Sequence, residues 1–184
     1  MAETFSTMLP LGTIAPDFIL IDVVSNKPFS LRDKKPSTAT VIIFTCNHCP
    51  YVKHIQNKLI EVANTYQKKG IDFIAINSND TEKYPMDAPP KMREQALACH
   101  FPFPYLYDET QDIAKAYHAA CTPDFYVFEE HLACVYRGRF DASTPGNAQP
   151  ITGQDLTEAL DALLSNKPIN AKQSPSVGCN IKWR

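Results

Sequence analysis

Ala39-Thr40-Val41-Ile42-Ile43-Phe44-Thr45-Cys46-Asn47-His48-Cys49-Pro50-Tyr51 begins as a compact run rich in β-branched residues and ends on a C-x-x-C. A run without polar alternation is the pattern of a strand covered on both faces. From Tyr51 to Lys69 the residues Val52, Ile55, Leu59, Val62 and Tyr66 recur at helical spacing, and Gly70 supplies the stop. Ile71 to Ile76 repeats the buried-strand pattern. Strand, helix and strand make a βαβ unit, whose crossover is right-handed. The cysteine pair stands where the first strand hands over to the helix.

Working towards the N-terminus, Ala15-Pro16-Asp17-Phe18-Ile19-Leu20-Ile21 reads as a short alternating strand. Ser25-Asn26-Lys27 reads as a turn into a second strand at Pro28 to Leu31. Towards the C-terminus, Asn77 to Pro90 holds three prolines and reads as a surface excursion. Lys91 to Cys99 and Gln111 to His118 are short helical candidates. Phe125 to Phe128 and Ala133 to Arg137 read as an antiparallel pair that turns near Glu129-Glu130-His131. Gln154 to Leu164 carries Leu156, Leu160, Leu163 and Leu164, the pattern of a closing helix. Residues 165–184 have no period and read as a tail. The expectation is one α/β domain over 1–164: a central mixed β-sheet flanked by helices, with an N-terminal β-hairpin, one insertion and the C-terminal tail.

Composition narrows the function classes. The chain has 184 residues, enough for one sizeable core. A formal net charge of -2 gives no reason to expect nucleic acid or an anionic membrane as partner. No apolar run approaches the length of a membrane span. Met1 to Pro10 has neither a basic start nor a long apolar stretch, so a reducing, cytoplasmic compartment is expected. Six cysteines are too sparse for a disulfide scaffold, and a C-x-x-C in this setting signals redox or metal chemistry.

The physical case for redox chemistry rests on position. Unpaired N–H groups at a helix start stabilise a thiolate, and two intervening residues bring the second sulfur within reach. Cys46 is then the exposed nucleophile and Cys49, further inside the first turn, the resolving thiol. An imidazolium at His48 would favour the Cys46 thiolate. A lone C-x-x-C is half of a zinc site; His54 or His100 would have to complete it, at no familiar finger spacing, so no metal and no cofactor is expected. Cys121-Thr122-Pro123-Asp124 precedes a strand. Pro123 reads either as an edge marker or as a cis peptide that places a backbone edge beside the active sulfur, where a substrate chain can pair. Cys121 and Cys179 are additional thiols with a bland alternative as packing groups, and Cys99 and Cys134 read as core residues. His54 reads as a solvated helix residue. Arg137 and Arg139 flank Gly138 with nothing to select either.

The order strand, C-x-x-C, helix, strand, Thr-Pro, hairpin and last helix resembles the thioredoxin superfamily. Ala15-Pro16-Asp17-Phe18 with Leu20 and Asp22, then Phe29-Ser30-Leu31, resembles its redoxin (AhpC/TSA-type) branch. Phe44 to Tyr51, Cys121 to Phe125 and Gly178-Cys179-Asn180-Ile181-Lys182-Trp183 are similar to a peroxiredoxin-like subgroup. The resemblance implies a thioredoxin-like fold, Cys46 as nucleophile, Cys49 as resolving thiol, and Pro123 as a cis-proline preceded by Thr122. It implies a thiol–disulfide oxidoreductase that acts on a disulfide-bearing protein or small thiol and is served by an upstream thiol donor. The alternatives are an antioxidant thiol peroxidase and a metal-binding or redox-sensing module. Three departures stand out: Thr40 to Phe44 contains no acid, Thr45 is followed three residues on by His48 rather than cysteine, and Asn47-His48 is neither the glycine–proline pair of the common reductants nor the proline–histidine pair of strong oxidants.

Overall fold

The structure is a computed structural model that describes residues 3–184. Its strands are β1 (Glu3–Phe5), β2 (Ile19–Asp22), β3 (Lys27–Ser30), β4 (Ala39–Phe44), β5 (Ile71–Asn77), β6 (Tyr105–Tyr107), β7 (Cys121–Thr122), β8 (Asp124–Glu129), β9 (Cys134–Gly138) and β10 (Val177–Asn180). Its α-helices are α1 (Pro50–Gln67), α2 (Pro89–Ala98), α3 (Asp112–Ala116) and α4 (Gln154–Leu164). Seven strands form a mixed sheet in the order β3-β2-β6-β5-β4-β8-β9. β4 is interior, parallel to β5 and antiparallel to β8. The β2–β3 hairpin forms at the edge with Ile19 opposite Ser30. No helix among the described residues is long and apolar enough to cross a membrane.

All six residues of β4 are buried, because the sheet is covered on both faces. Val41 and Ile43 join Ile55, Leu59, Val62 and Tyr66 of α1, with Met92 of α2 and Leu156 and Leu160 of α4. Ile42 and Phe44 turn the other way, to Leu9, Phe18, Tyr117 and Tyr126. Alternation along β4 thus feeds two cores from one strand. α1 begins at Pro50, whose missing N–H costs nothing at a first helical position. Past its C-terminus, Gly70 adopts φ +85°, a conformation glycine takes at no steric cost.

Two segments differ from their reading as surface excursion and tail. Ser78, Asn79, Asp80 and Asp87, inside the proline-rich 77–90 stretch, are all buried. They bury because their polar groups are satisfied: Asn79 Nδ2 donates to Asp87 Oδ2 at 2.8 Å, Asn77 Oδ1 accepts the Asn79 N–H at 3.0 Å, Ser78 Oγ donates to Asp108 Oδ2 at 2.7 Å, and Asp80 Oδ1 accepts the Glu82 N–H at 3.0 Å. In the 165–184 segment, β10 pairs antiparallel with both β1 and β7 in a separate three-stranded sheet. Behind β10, Lys182 N–H donates to Asn79 Oδ1 at 2.8 Å, and Gln111 Nε2 donates to the Lys182 carbonyl at 2.8 Å.

Gly178 makes the β10 contact possible. A Cβ built there would overlap the Thr122 carbonyl. Gly178→Ala is expected to lower stability by about 1–3 kcal/mol, the range for overpacking a filled site. Equilibrium denaturation checks it; an unchanged midpoint would show that β10 does not need this close approach.

Candidate functional site

β4 ends at Phe44 and α1 begins at Pro50, so the C-x-x-C occupies the connection between them. Cys49 is the N-cap of α1, and Cys46 lies three residues before it. The expectation that Cys46 is exposed is corrected: Cys46 is 1% exposed and Cys49 0%. Both are covered because the Thr122–Pro123 segment closes over them. The Thr122–Pro123 bond is cis. Thr122 Oγ1 lies 3.5 Å from Cys46 Sγ, and the Thr122 carbonyl accepts from Cys49 Sγ at 3.2 Å. One residue therefore touches both sulfurs, which are thiols here.

The two thiols share their protons. Their mutual hydrogen bond is the largest influence on each: it pulls Cys49 down to about 5 against the effect of burial, while Cys46, also desolvated and facing the Asp87 charge, is pushed well up. The Thr122 hydroxyl pulls Cys46 down. The first ionisation belongs to the pair rather than to Cys46 alone, as the sequence had suggested.

The residues between the cysteines are clamped by the buried loop. Asp87 Oδ1 accepts the Asn47 backbone N–H at 2.7 Å, and Asp87 Oδ2 lies 2.6 Å from His48 Nδ1. Asn47 Nδ2 donates to the Met86 carbonyl at 2.8 Å, and the Tyr105 hydroxyl donates to Asn47 Oδ1 at 3.0 Å. The His48 ring stacks on Tyr84 with centroids 5.3 Å apart, and the Lys182 ammonium covers Tyr84 at 5.6 Å. Burial works against the Asp87 charge, but hydrogen bonds from His48, Asn79 and Asn47 outweigh it and hold the carboxyl below its usual range. With a proton on Nδ1 facing Asp87, His48 Nε2 offers a lone pair; that nitrogen is buried and has no hydrogen-bond partner.

Cys46, His48 and Asp87 offer one ligand atom each within 4.8 Å of one another, which makes them the set at the motif that could hold a metal. Neither His54 nor His100 belongs to it. His54 is half-buried with its Nε2 covered. It lines a small hollow with Tyr51, Pro123 and Val177.

The remaining candidates separate cleanly. Cys179 is 2% exposed and clusters with Cys46, Cys49 and Val52. Burial pushes its thiol up to about 12. Cys121 is also buried, but its sulfur lies 3.9 Å from the Pro123 carbonyl and desolvation drives it far above the ordinary thiol range. Cys134 is a core residue, whereas Cys99 is half-buried at the end of α2 and accepts from Gln56 Nε2 at 3.1 Å. Arg137 Nε donates to the Leu9 carbonyl and Arg139 pairs with Asp155, so both are committed elsewhere.

Asp87 is the residue that sequence reasoning missed. Its bonds span 39 and 40 residues, and no spacing rule links it to the motif. A second buried acid, Asp124, enters on β8 in register with Phe44, the end of the strand that itself has none. Desolvation pushes Asp124 up to about 7, against the Tyr126 hydroxyl that donates to it at 2.8 Å. A raised carboxyl favours the fold below the unfolded value of 3.8, and that advantage is lost as pH rises to about 7. Asp124 is therefore expected to remove about 4 kcal/mol across that window. Denaturation midpoints at several pH values check it: Asp124→Asn should flatten the fall, and an equal slope in both proteins would contradict the assignment.

The family model described as AhpC/TSA family matches residues 11–137. A conserved protein of Geobacillus kaustophilus is 54% identical, with TM-score 0.98, over 100% of this chain and 97% of its own. A protein of Sinorhizobium meliloti is 42% identical, with TM-score 0.95, over 98% of each chain. A thiol:disulfide interchange protein of the thioredoxin family from Chlorobium tepidum superposes at TM-score 0.63 with 17% identity, over 85% of this chain and 99% of its own, a likeness of fold. No curated protein matches. The fold is thioredoxin-like, as expected.

Proposed function

Because the chain belongs to the AhpC/TSA family, a family that supports an oxidoreductase role, we propose that it is a thiol–disulfide oxidoreductase whose redox couple is Cys46–Cys49. The observation that carries this reading is the double contact of Thr122, hydroxyl to Cys46 and carbonyl to Cys49, at the end of β4. A single residue contacts both sulfurs.

His48, oriented by Asp87, takes the Cys46 proton and becomes an imidazolium paired with the buried carboxylate. The Cys46 thiolate attacks one sulfur of a substrate disulfide; a Cys46–substrate bond forms as the substrate S–S bond breaks, and the departing thiolate takes the proton back from His48. Cys49 attacks Cys46 Sγ and closes the Cys46–Cys49 disulfide, and its proton passes to the departing second substrate sulfur, which leaves as a thiol. An upstream dithiol then restores both thiols. The substrate is a disulfide-bearing protein or small molecule.

Cys49→Ser keeps the nucleophile and removes the resolving thiol. Incubated with a disulfide substrate, it is expected to accumulate a Cys46 mixed disulfide that intact-mass spectrometry detects. Release of the second substrate thiol at the unaltered rate, with no adduct, would contradict the reading.

The near-complete burial of Cys46 favours a second reading, a thiol peroxidase acting on a small peroxide. There the thiolate takes one peroxide oxygen to become a sulfenic acid, an alcohol or water departs, and Cys49 condenses with the sulfenic acid to expel water. Peroxide consumption coupled to a dithiol donor tests it; turnover no faster than that of free cysteine removes it.

A further inference from the structure

The backbone edge at Thr122, read from the sequence as a place for a substrate chain to pair, is filled by the protein's own β10. Cys179 stands in register with Thr122 and Asn180 with Cys121. The strand is seated by the Gly178 approach to the Thr122 carbonyl and tied down behind by the Ile181 N–H, which donates to the Ala120 carbonyl at 3.0 Å. Opposed residues of an antiparallel pair have Cα atoms about 4.5–5.5 Å apart. Thr122 itself touches Cys49, so this register delivers a cysteine to the side of Cys49.

We propose that Cys179 is a third redox thiol of this site, presented by β10 to Cys49, and that it takes the disulfide over from Cys46. The inference rests on the reading of Cys46–Cys49 as the redox couple. The Cys179 thiolate attacks Cys49 Sγ of the Cys46–Cys49 disulfide; the Cys49–Cys179 bond forms, the Cys46–Cys49 bond breaks, and Cys46 leaves as a thiolate. The proton given up by Cys179 passes to His48 or Cys46. Two sulfurs are oxidised before the step and two after it, so no outside oxidant is consumed. Cys49 is within hydrogen-bonding reach of Cys179, and the Lys182 charge offsets part of the burial that raises the Cys179 thiol. The exchange leaves Cys46 ready for a further attack while the disulfide is held on an anchored strand. It also means that substrate reaches Cys46 without adding a strand at Thr122.

The test uses the full chain, equilibrated in reduced and oxidised glutathione, alkylated, and mapped by mass spectrometry as wild type, Cys46→Ser and Cys179→Ser. The expected result is a Cys49–Cys179 disulfide in Cys46→Ser and a Cys46–Cys49 disulfide in Cys179→Ser. If Cys46→Ser gives only glutathione adducts while Cys179→Ser forms Cys46–Cys49, the relay is overturned and the redox couple stands. If neither variant forms an intramolecular disulfide, both fall. Cys46→Ala serves as the second variant where serine disturbs folding at this buried position.

Discussion

Replacing Cys46 with serine lowers dithiol-dependent turnover by on the order of 10³-fold or more, a loss of about 4 kcal/mol of transition-state stabilisation. A hydroxyl ionises too poorly to attack a disulfide, and the exchange has no route around its first bond. The effect should fall on turnover rather than on folding, because oxygen for sulfur keeps the hydrogen bond with Thr122 Oγ1. Turnover of Cys46→Ser close to that of the wild type would place the chemistry elsewhere.

The second large effect is expected at Asp87. This carboxylate accepts from Asn47, His48 and Asn79 in a fully buried setting. Asp87→Ala leaves those donors without an acceptor and should cost about 3–5 kcal/mol of stability, the range for breaking a buried charged pair. Asp87→Asn separates positioning from folding. It keeps the volume but cannot stabilise an imidazolium, so turnover should drop about 10²-fold and its pH profile should move, consistent with a general base that has lost its orienting partner. Because the Asp87 carboxyl lies below its ordinary value of 3.8 in the fold, it contributes stability above that pH and loses it as pH falls through the folded value. The stability gap between wild type and Asp87→Asn should therefore be steady at neutral pH and shrink in acid. A gap that widens in acid would reverse the sign of this account.

Elements whose pattern is set by local physics were legible in the sequence. Ala39–Phe44 and Gln154–Leu164 form over the expected residues, since continuous burial and a 3.6-residue period are properties of the segment itself. Tyr105–Tyr107 was not foreseen: three residues between Pro104 and Asp108 are too few to show a period. β10 was hidden for the same reason, and because its partners, Glu3–Phe5 and Cys121–Thr122, lie far away along the chain. Within the candidate site, Cys46, His48, Cys49, Thr122 and Pro123 were named from motif and order, and the structure brings them together. Asp87 was not, because a proline-rich polar stretch reads as solvated when the partners that satisfy its polar groups lie far along the chain. The exposure expected of Cys46 failed on the same ground: the covering Thr122–Pro123 segment arrives from 76 residues away.

The most direct test of the central claim is a redox titration of the wild-type protein in graded thiol–disulfide buffers, quenched by alkylation and read by mass spectrometry. The account predicts one reversible two-electron couple that oxidises Cys49 together with Cys46, or with Cys179 once the disulfide is handed on, with a midpoint between roughly -270 and -120 mV, the span of thioredoxin-fold reductants and oxidants. Cys46 and Cys49 remaining as two thiols across that whole range would contradict it.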